Sequence, residues 1–237
     1  MNSSSLLNRR DFLRLGAAAL TVPAVGKAFE PNELPLNRQG LLEEIERRAC
    51  RYFYDQAHPD TGLVRDRVRV AGFDGRRVAS IAATGFGLSA LCIGSSRGYI
   101  STRDAIDRAE TTLTFLARRA PHRGGFFYHF ADMETGQRAL NSEISSVDTA
   151  WLLCGILHLR SHFDTPRIRR LSAAILDRVD WRWMLNGGET LSHGWMPESG
   201  FLPYRWDCYS ELLAMYLLAI ASTTFPIPVS SWDAWER

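Results

Sequence analysis

The sequence predicts an all-α protein, an α/α toroid in which helical hairpins form two concentric layers. The first observation is that helical segments with a single apolar stripe alternate with segments that are apolar on every side. A helix that is apolar all round must be surrounded by other elements, whereas a striped helix can face water. The second observation is that loops of more than twenty residues alternate with very short connections. Together these features predict buried helices inside, striped helices outside, and long loops gathered at one rim.

Six segments carry the helical spacing of apolar residues. The striped segments are 41–57, 101–119 and 165–180, and the segments that are apolar all round are 80–95, 147–163 and 210–221. Ser101 with Asp104 three residues later, and Thr165 followed by Pro166, are typical helix starts. The connections 98–100 and 164–165 are short and therefore predict helical hairpins.

The long loops are predicted to contain small β-hairpins. Residues 126–130 have strand-like composition and precede a turn at 133–136, and residues 191–195 precede a second turn at 197–200. Long loops without secondary structure are uncommon unless they are functional. We therefore expect these hairpins to project from the rim and to carry the chemistry.

The number of helices predicts about half of a six-hairpin barrel, because a closed toroid of that kind needs twice as many helices. Residues 228–237 resemble the cap and first turn of a further helix. We expect residues 29–237 to form one toroid domain that is incomplete at its C-terminus, the product of truncation.

The N-terminus predicts a twin-arginine export signal over residues 1–28. Arg9 and Arg10 are followed by Asp11, Phe12 and an apolar run over 15–25, which is too short to span a bilayer permanently. We expect export by the twin-arginine translocation machinery to the periplasm or the cell exterior, with no stable membrane insertion.

The nearly balanced charge argues against nucleic acid or a membrane surface as the main partner. Without residues 1–28 the chain has 24 basic and 25 acidic residues, so it lacks the excess of positive charge that binds phosphate backbones.

Carboxylates set among aromatic residues predict a carbohydrate site. Glu211 stands where the third long loop meets an apolar segment, with Trp206 and Tyr209 beside it. Aromatic rings stack on the apolar faces of sugars, and carboxylates supply proton transfer and hydroxyl recognition. The alternative is that Glu211 only interacts favourably with a helix N-terminus.

The two other loop–helix junctions also carry acids. Glu143 and Asp148 flank the second junction, with Asp132 in the turn before it, and Asp66 with Arg67 lies in the first loop as a candidate substrate contact. Each of these acids also has an alternative, purely structural interpretation. Asp148 could cap a helix, Asp132 could be a solvated turn residue, and Asp66 could form an ion pair that shapes its loop.

No cofactor or metal site is predicted. His158 and His162 are four residues apart but lack the glutamate of an HExxH motif, and no nucleophile elbow or phosphate-binding glycine loop is present.

At these residues the chain resembles the glucoamylase-like domain family, which includes bacterial endo-β-1,2-glucanases and a domain of cyclic β-1,2-glucan synthases. The resembling stretches are PDTGLVRDR (59–67), ATGFGL (83–88), GFFYHFADM (125–133), EISSVDTA (143–150), GWMPESGFL (194–202), YSE (209–211) and PIP (226–228). They occur in the family's order, and members of that family continue well beyond the last of them.

The resemblance implies hydrolysis of a β-linked glucan, such as β-1,2-glucan, by acid/base catalysis with inversion. It implies that Glu211 is the general acid and that Glu143 is a second catalytic carboxylate. Asp148, Asp132, Trp206 and Tyr209 would then line the cleft. Two alternatives remain at this point: a truncated, non-catalytic remnant that binds glycan, and a toroidal polysaccharide lyase.

Overall fold

The structure is a computed structural model that describes residues 37–235, and the predicted export signal lies outside the described residues. Helices make up about half of the described chain. Their bounds are α1 (Arg38–Asp55), α2 (Ile81–Ser96), α3 (Thr102–Arg118), α4 (Ser146–His162), α5 (Pro166–Leu176), α6 (Trp181–Leu185), α7 (Leu213–Ile220) and α8 (Ser230–Ala234). Among residues 37–235, no helix is both long and apolar enough to cross a membrane.

The strands are short and lie in the long loops. Their bounds are β1 (Val78–Ser80), β2 (His122–Arg123), β3 (Phe126–Phe127), β4 (Phe130–Asp132), β5 (Ile144–Ser145), β6 (Gly194–Met196) and β7 (Gly200–Phe201). All pairs are antiparallel: β1 pairs with β4, β2 with β3, and β6 lies between β5 and β7. The prediction of packed helices with small strands in the loops is confirmed, although helices make up about half of the described residues and not nearly all of them.

Serine and threonine caps fix where four helices begin. Ser80, Ser101, Ser145 and Thr165 each accept a hydrogen bond from the backbone N–H three residues later, at the N-termini of α2, α3, α4 and α5. Such caps satisfy one of the donors that a helix start leaves unpaired. The observed starts therefore agree with the predicted ones to within a residue or two.

From residue 42 onward the chain packs as one compact unit. Helices α2, α4 and α7 lie side by side in that order, and α3 and α5 pack together against them. Gly85 of α2 and Gly155 of α4 allow these two helices to touch backbone to backbone, because a Cβ on Gly155 would lie 2.1 Å from the Gly85 carbonyl oxygen. The core between the layers is large and aromatic; its bulkiest fully buried side chains are Trp181, Tyr216, Phe115, Phe126 and Phe127.

Three predicted boundaries are wrong. Residues 126–130 are not one strand, because β3 and β4 leave the segment to pair with different partners. The helix predicted over 165–180 ends at Leu176, and α6 is a separate helix. The helix predicted from Ser210 begins at Leu213, so that Glu211 lies in the turn before α7 and not in its first turn. The hairpin predicted around 197–200 is confirmed by the pairing of β6 with β7.

Candidate functional site

The three predicted acids Glu143, Asp148 and Glu211 line one pocket of about 430 Å³. The pocket lies where the first turns of α2 and α4 meet the loops before β5 and α7. Its wall contains the aromatic side chains of Phe86, Trp151, Trp206 and two histidines. Because α2 and α4 pack in direct contact, their starts bring residues from distant parts of the sequence to this single cavity.

His129 connects two of the acids. Its Nδ1 lies 3.1 Å from Glu143 Oε1, and its Nε2 lies 3.6 Å from Asp148 Oδ1. The ring stacks on Phe130 with 3.8 Å between ring centroids. The backbone holds the same pair together, because the His129 N–H donates to the Glu143 carbonyl over 2.9 Å.

These contacts shift the pKa values of His129, Glu143 and Asp148 in different ways. Burial by itself would lower the pKa of His129, but the hydrogen bond with Glu143 and the charges of Asp148 and Glu143 raise it above its ordinary value. The same hydrogen bond lowers the pKa of Glu143 against the effect of burial. Burial raises the pKa of Asp148, and the nearby charges of Glu143 and Glu211 raise it further. Glu143 is thereby favoured as a carboxylate, and Asp148 is the acid more readily protonated.

Asp148 also has the structural role that was its alternative interpretation. Ser145 Oγ accepts from the Asp148 N–H at 3.3 Å and donates to Asp148 Oδ2 at 2.5 Å. Asp148 therefore belongs to the cap of α4 through one oxygen, while its other oxygen faces His129. The two interpretations are compatible.

Glu211 is exposed and is oriented by a tryptophan. The indole Nε1–H of Trp151 donates to Glu211 Oε2 over 3.2 Å. Trp151 lies one helical turn after Asp148 on α4, so both side chains lie on the same helix face. That face therefore presents Asp148 together with the indole N–H that binds Glu211. Phe86 extends this aromatic wall, with its ring centroid 5.4 Å from that of Trp151.

The indole ring of Trp206 is held by a hydrogen bond at its edge and by stacking on its face. Its Nε1–H donates to Ser146 Oγ over 2.9 Å, and its ring stacks on His193 with 4.0 Å between centroids and 16° between planes. A ring fixed in this way offers a rigid surface against which the apolar face of a sugar can pack.

Four predicted binding residues are not among those that line this pocket. Tyr209 is 76% exposed, and its ring lies 6.3 Å from that of Trp235. Asp132 shapes its own turn by accepting from the Thr135 N–H and hydroxyl, both at 2.9 Å. Asp66 pairs with Arg67, the alternative that the sequence offered.

Sequence reasoning did not select His129, His193, Trp151 or Phe86. Trp151 could have been predicted from the sequence, because it follows Asp148 by three residues and therefore lies on the same helix face. His129 and His193 sit beside strands that pair only after folding, and nothing in their local sequence marks them as neighbours of the acids.

The atoms of His129, Glu143 and Asp148 lie within 4.8 Å of one another, a spacing that a metal ion could occupy. Here the imidazole nitrogens already face the two carboxylates directly, so the polar atoms have partners without an ion. The sequence prediction of no metal stays a prediction.

Comparison with known proteins places these features in a family context. Residues 203–237 match the family model described as "Putative glucoamylase". The chain is 25% identical over 216 residues to an exo β-1,2-glucooligosaccharide sophorohydrolase (non-reducing end) of Parabacteroides distasonis, covering 85% of this chain and 29% of that protein.

Solved structures give the same result. The endo-β-1,2-glucanase of Chitinophaga pinensis, in complex with sophorotriose and glucose, is 29% identical with a TM-score of 0.73, covering 84% of this chain and 50% of that one. A glucoamylase-related structure from Bacteroides fragilis is 30% identical with a TM-score of 0.72, covering 84% and 51%. The chain thus spans about half the length of these structures. Sequence and structure together confirm the resemblance of this chain to the glucoamylase-like family.

Proposed function

We propose that this protein is a glycoside hydrolase that cleaves a β-linked glucan by acid/base catalysis with inversion. The observation that carries the proposal is the convergence of Glu143, Asp148 and Glu211 on one pocket walled by Trp151 and Trp206. Paired carboxylates flanking a sugar are the usual machinery of glycoside hydrolysis. β-1,2-Glucan is the first substrate to test, because relatives with that activity match most of this chain.

In this proposal Glu211 is the general acid and Glu143 is the second catalytic carboxylate. Glu211 is exposed at the pocket and is held at one oxygen by Trp151, which suits a group that must reach a leaving oxygen. Glu143 is kept ionised by His129, which suits a group that accepts a proton from water. Inversion requires the two carboxyl groups to stand roughly 6.5–9.5 Å apart so that a water fits between them and the sugar.

Asp148 and Trp206 bind the glucan in this proposal, through hydroxyl recognition and ring stacking respectively. Tyr209, Asp132, Asp66 and Arg67 lie outside the pocket lining, so any part they take in binding concerns sugar units beyond it.

We further infer that the helices form part of an α/α toroid. The side-by-side order of α2, α4 and α7, with α3 and α5 packed against them, supports this arrangement. We also propose that residues 1–28 direct export to the periplasm or cell exterior by the twin-arginine route, since Arg9 and Arg10 precede a short apolar run.

The test is release of reducing sugar from β-1,2-glucan by the purified protein and by Glu211→Gln and Glu143→Gln. Loss of a positioned acid or base costs about 10²- to 10⁴-fold in rate, so both variants should lose turnover by that order. Glu189→Gln is the matched control, because Glu189 is exposed and lies outside the pocket.

Unchanged turnover in Glu211→Gln would remove its assignment as the acid. If the wild-type protein binds glucan oligosaccharides without cleaving them, the hydrolase proposal fails and a glycan-binding role replaces it. Appearance of an unsaturated product absorbing in the near ultraviolet would instead indicate a lyase.

A further inference from the structure

His129 stands between two acids, and when both are ionised an imidazolium matches them better than a neutral imidazole does. One ring nitrogen faces Glu143 at 3.1 Å and the other faces Asp148 at 3.6 Å. Neutral histidine has one N–H donor and one lone pair, so one of its nitrogens would direct a lone pair at a carboxylate oxygen. Imidazolium donates a hydrogen bond to Glu143 from one nitrogen, and its second N–H faces Asp148 at ion-pair distance.

The surroundings of the ring also favour this form. Asp66, from the loop before β1, adds a third negative group to those of Glu143 and Asp148. Glu211 acts on Asp148, and His193 acts on Glu143. These are the titratable groups that surround His129 from the neighbouring loops and from α4, and the acids outnumber the bases.

The position of the ring is fixed independently of its charge. The His129 N–H donates to the Glu143 carbonyl, and the His129 carbonyl accepts from the Ile81 N–H at the start of α2 over 3.1 Å. Its ring is stacked on Phe130. The bridge therefore joins the loop before β5 to the first turns of α2 and α4, the elements that build the pocket.

We propose that His129 is a positioning residue that, as an imidazolium, bridges Glu143 and Asp148 and holds both at the geometry that glucan cleavage needs. This inference rests on the proposed function. Without the bridge, Glu143 and Asp148 repel each other and separate, and the second catalytic carboxylate loses its alignment. A misplacement of about 1 Å at a catalytic group can cost roughly 100-fold in rate.

Three substitutions of His129 test its contact with Glu143 and its contact with Asp148 separately. His129→Asn places an amide near the position of Nδ1 and retains the contact with Glu143. His129→Gln places an amide near the position of Nε2 and retains the contact with Asp148. His129→Phe retains an aromatic ring over Phe130 and removes both contacts. His162→Gln is the matched control, because His162 is exposed on the last turn of α4 and is not among the residues lining the pocket.

The expected result is that kcat on β-1,2-glucan falls roughly 100-fold in His129→Phe and that KM rises as well, since the ring aligns Glu143 for the reaction and Asp148 for glucan binding. His129→Asn should recover part of kcat. Because the pKa of His129 is raised, the imidazolium persists above its ordinary range and is lost as pH rises through the raised value. The decline of kcat with rising pH that His129 contributes should therefore be absent in His129→Asn, while the decline caused by loss of the general acid's proton remains.

A second measurement does not depend on activity. Ring ¹⁵N chemical shifts of the histidine-labelled protein at pH 6.5, the ordinary pKa of histidine, assigned with His129→Gln among the six histidines, should show His129 predominantly protonated at both nitrogens. A neutral ring at that pH overturns the bridge, as does wild-type kcat in His129→Phe. Loss of wild-type activity with a chelator, restored by Zn²⁺, overturns it in favour of metal ligation.

The two proposals fail in different ways. An inactive wild-type protein whose His129 is doubly protonated removes the hydrolase assignment and leaves the bridge in place. An active protein with a neutral His129 removes the bridge and leaves the hydrolase assignment.

Discussion

Replacing Gly155 by alanine should force apart the two helices that build the pocket. A Cβ at position 155 would lie 2.1 Å from the Gly85 carbonyl oxygen and 2.7 Å from its carbonyl carbon. The first distance is about 1.3 Å short of the 3.4 Å lower limit of ordinary contact, and both partners are backbone atoms that cannot rotate away. Relief therefore requires a shift of α4 against α2.

Two opposing effects set the magnitude of this destabilisation. Overpacking costs typically about 1–3 kcal/mol, and the rigidity of both partners places this site at the upper end. Alanine in a helix interior recovers about 1 kcal/mol relative to glycine. The net loss in free energy of unfolding is therefore about 2 kcal/mol, which lowers Tm by about 4–8 °C in a domain of this size.

The measurement is thermal and urea unfolding followed by far-ultraviolet circular dichroism. Gly94→Ala is the matched control on α2, because a Cβ there would meet Ile100 Cδ1 at 2.8 Å, the movable end of a side chain. We expect Gly155→Ala to be clearly less stable than Gly94→Ala and less active on glucan. Equal stability of Gly155→Ala and wild type would refute the close backbone packing of α2 and α4.

Two further predictions concern the core and the N-terminus. Tyr216→Phe should lower the free energy of unfolding by about 1–3 kcal/mol despite its similar shape, because the buried hydroxyl accepts from the Leu191 N–H at 3.0 Å and donates to the Trp206 carbonyl at 2.8 Å. Urea unfolding checks this, and wild-type stability would contradict it. Changing Arg9 and Arg10 together to lysine should keep the protein in the cytoplasm of the producing cell, as measured by fractionation, and undiminished export would exclude the twin-arginine route.

The starts of most helices could be predicted because their signals are local. A capping serine or threonine, followed by apolar residues at helical spacing, determines a helix start within a few residues of chain. The same logic failed at Ser210, which resembles a cap. In the folded chain Glu211 is held by Trp151 of another helix, and α7 begins at Leu213 without a side-chain cap among the described contacts.

The candidate site shows a similar division. Glu143, Asp148 and Glu211 could be predicted as neighbours because acids at loop–helix junctions beside aromatic residues form a local pattern, and all three line one pocket. His129 carries no such pattern, because its importance lies in which two acids its ring nitrogens face. Tyr209 is next to Glu211 in sequence but is not among the residues lining the pocket, so its role in binding stays a prediction.

The sequence by itself determined the helical periods, the caps and the chemical types available at the rim, since each depends on residues within one or two turns of each other. Only the tertiary structure decided which of those acids share a cavity and which proton donors face them. The physical reason is that the pocket depends on the contact of α2 with α4 through Gly85 and Gly155, a packing relation between residues seventy positions apart. Burial and neighbouring charge then distinguish carboxylates that are chemically alike in the unfolded chain.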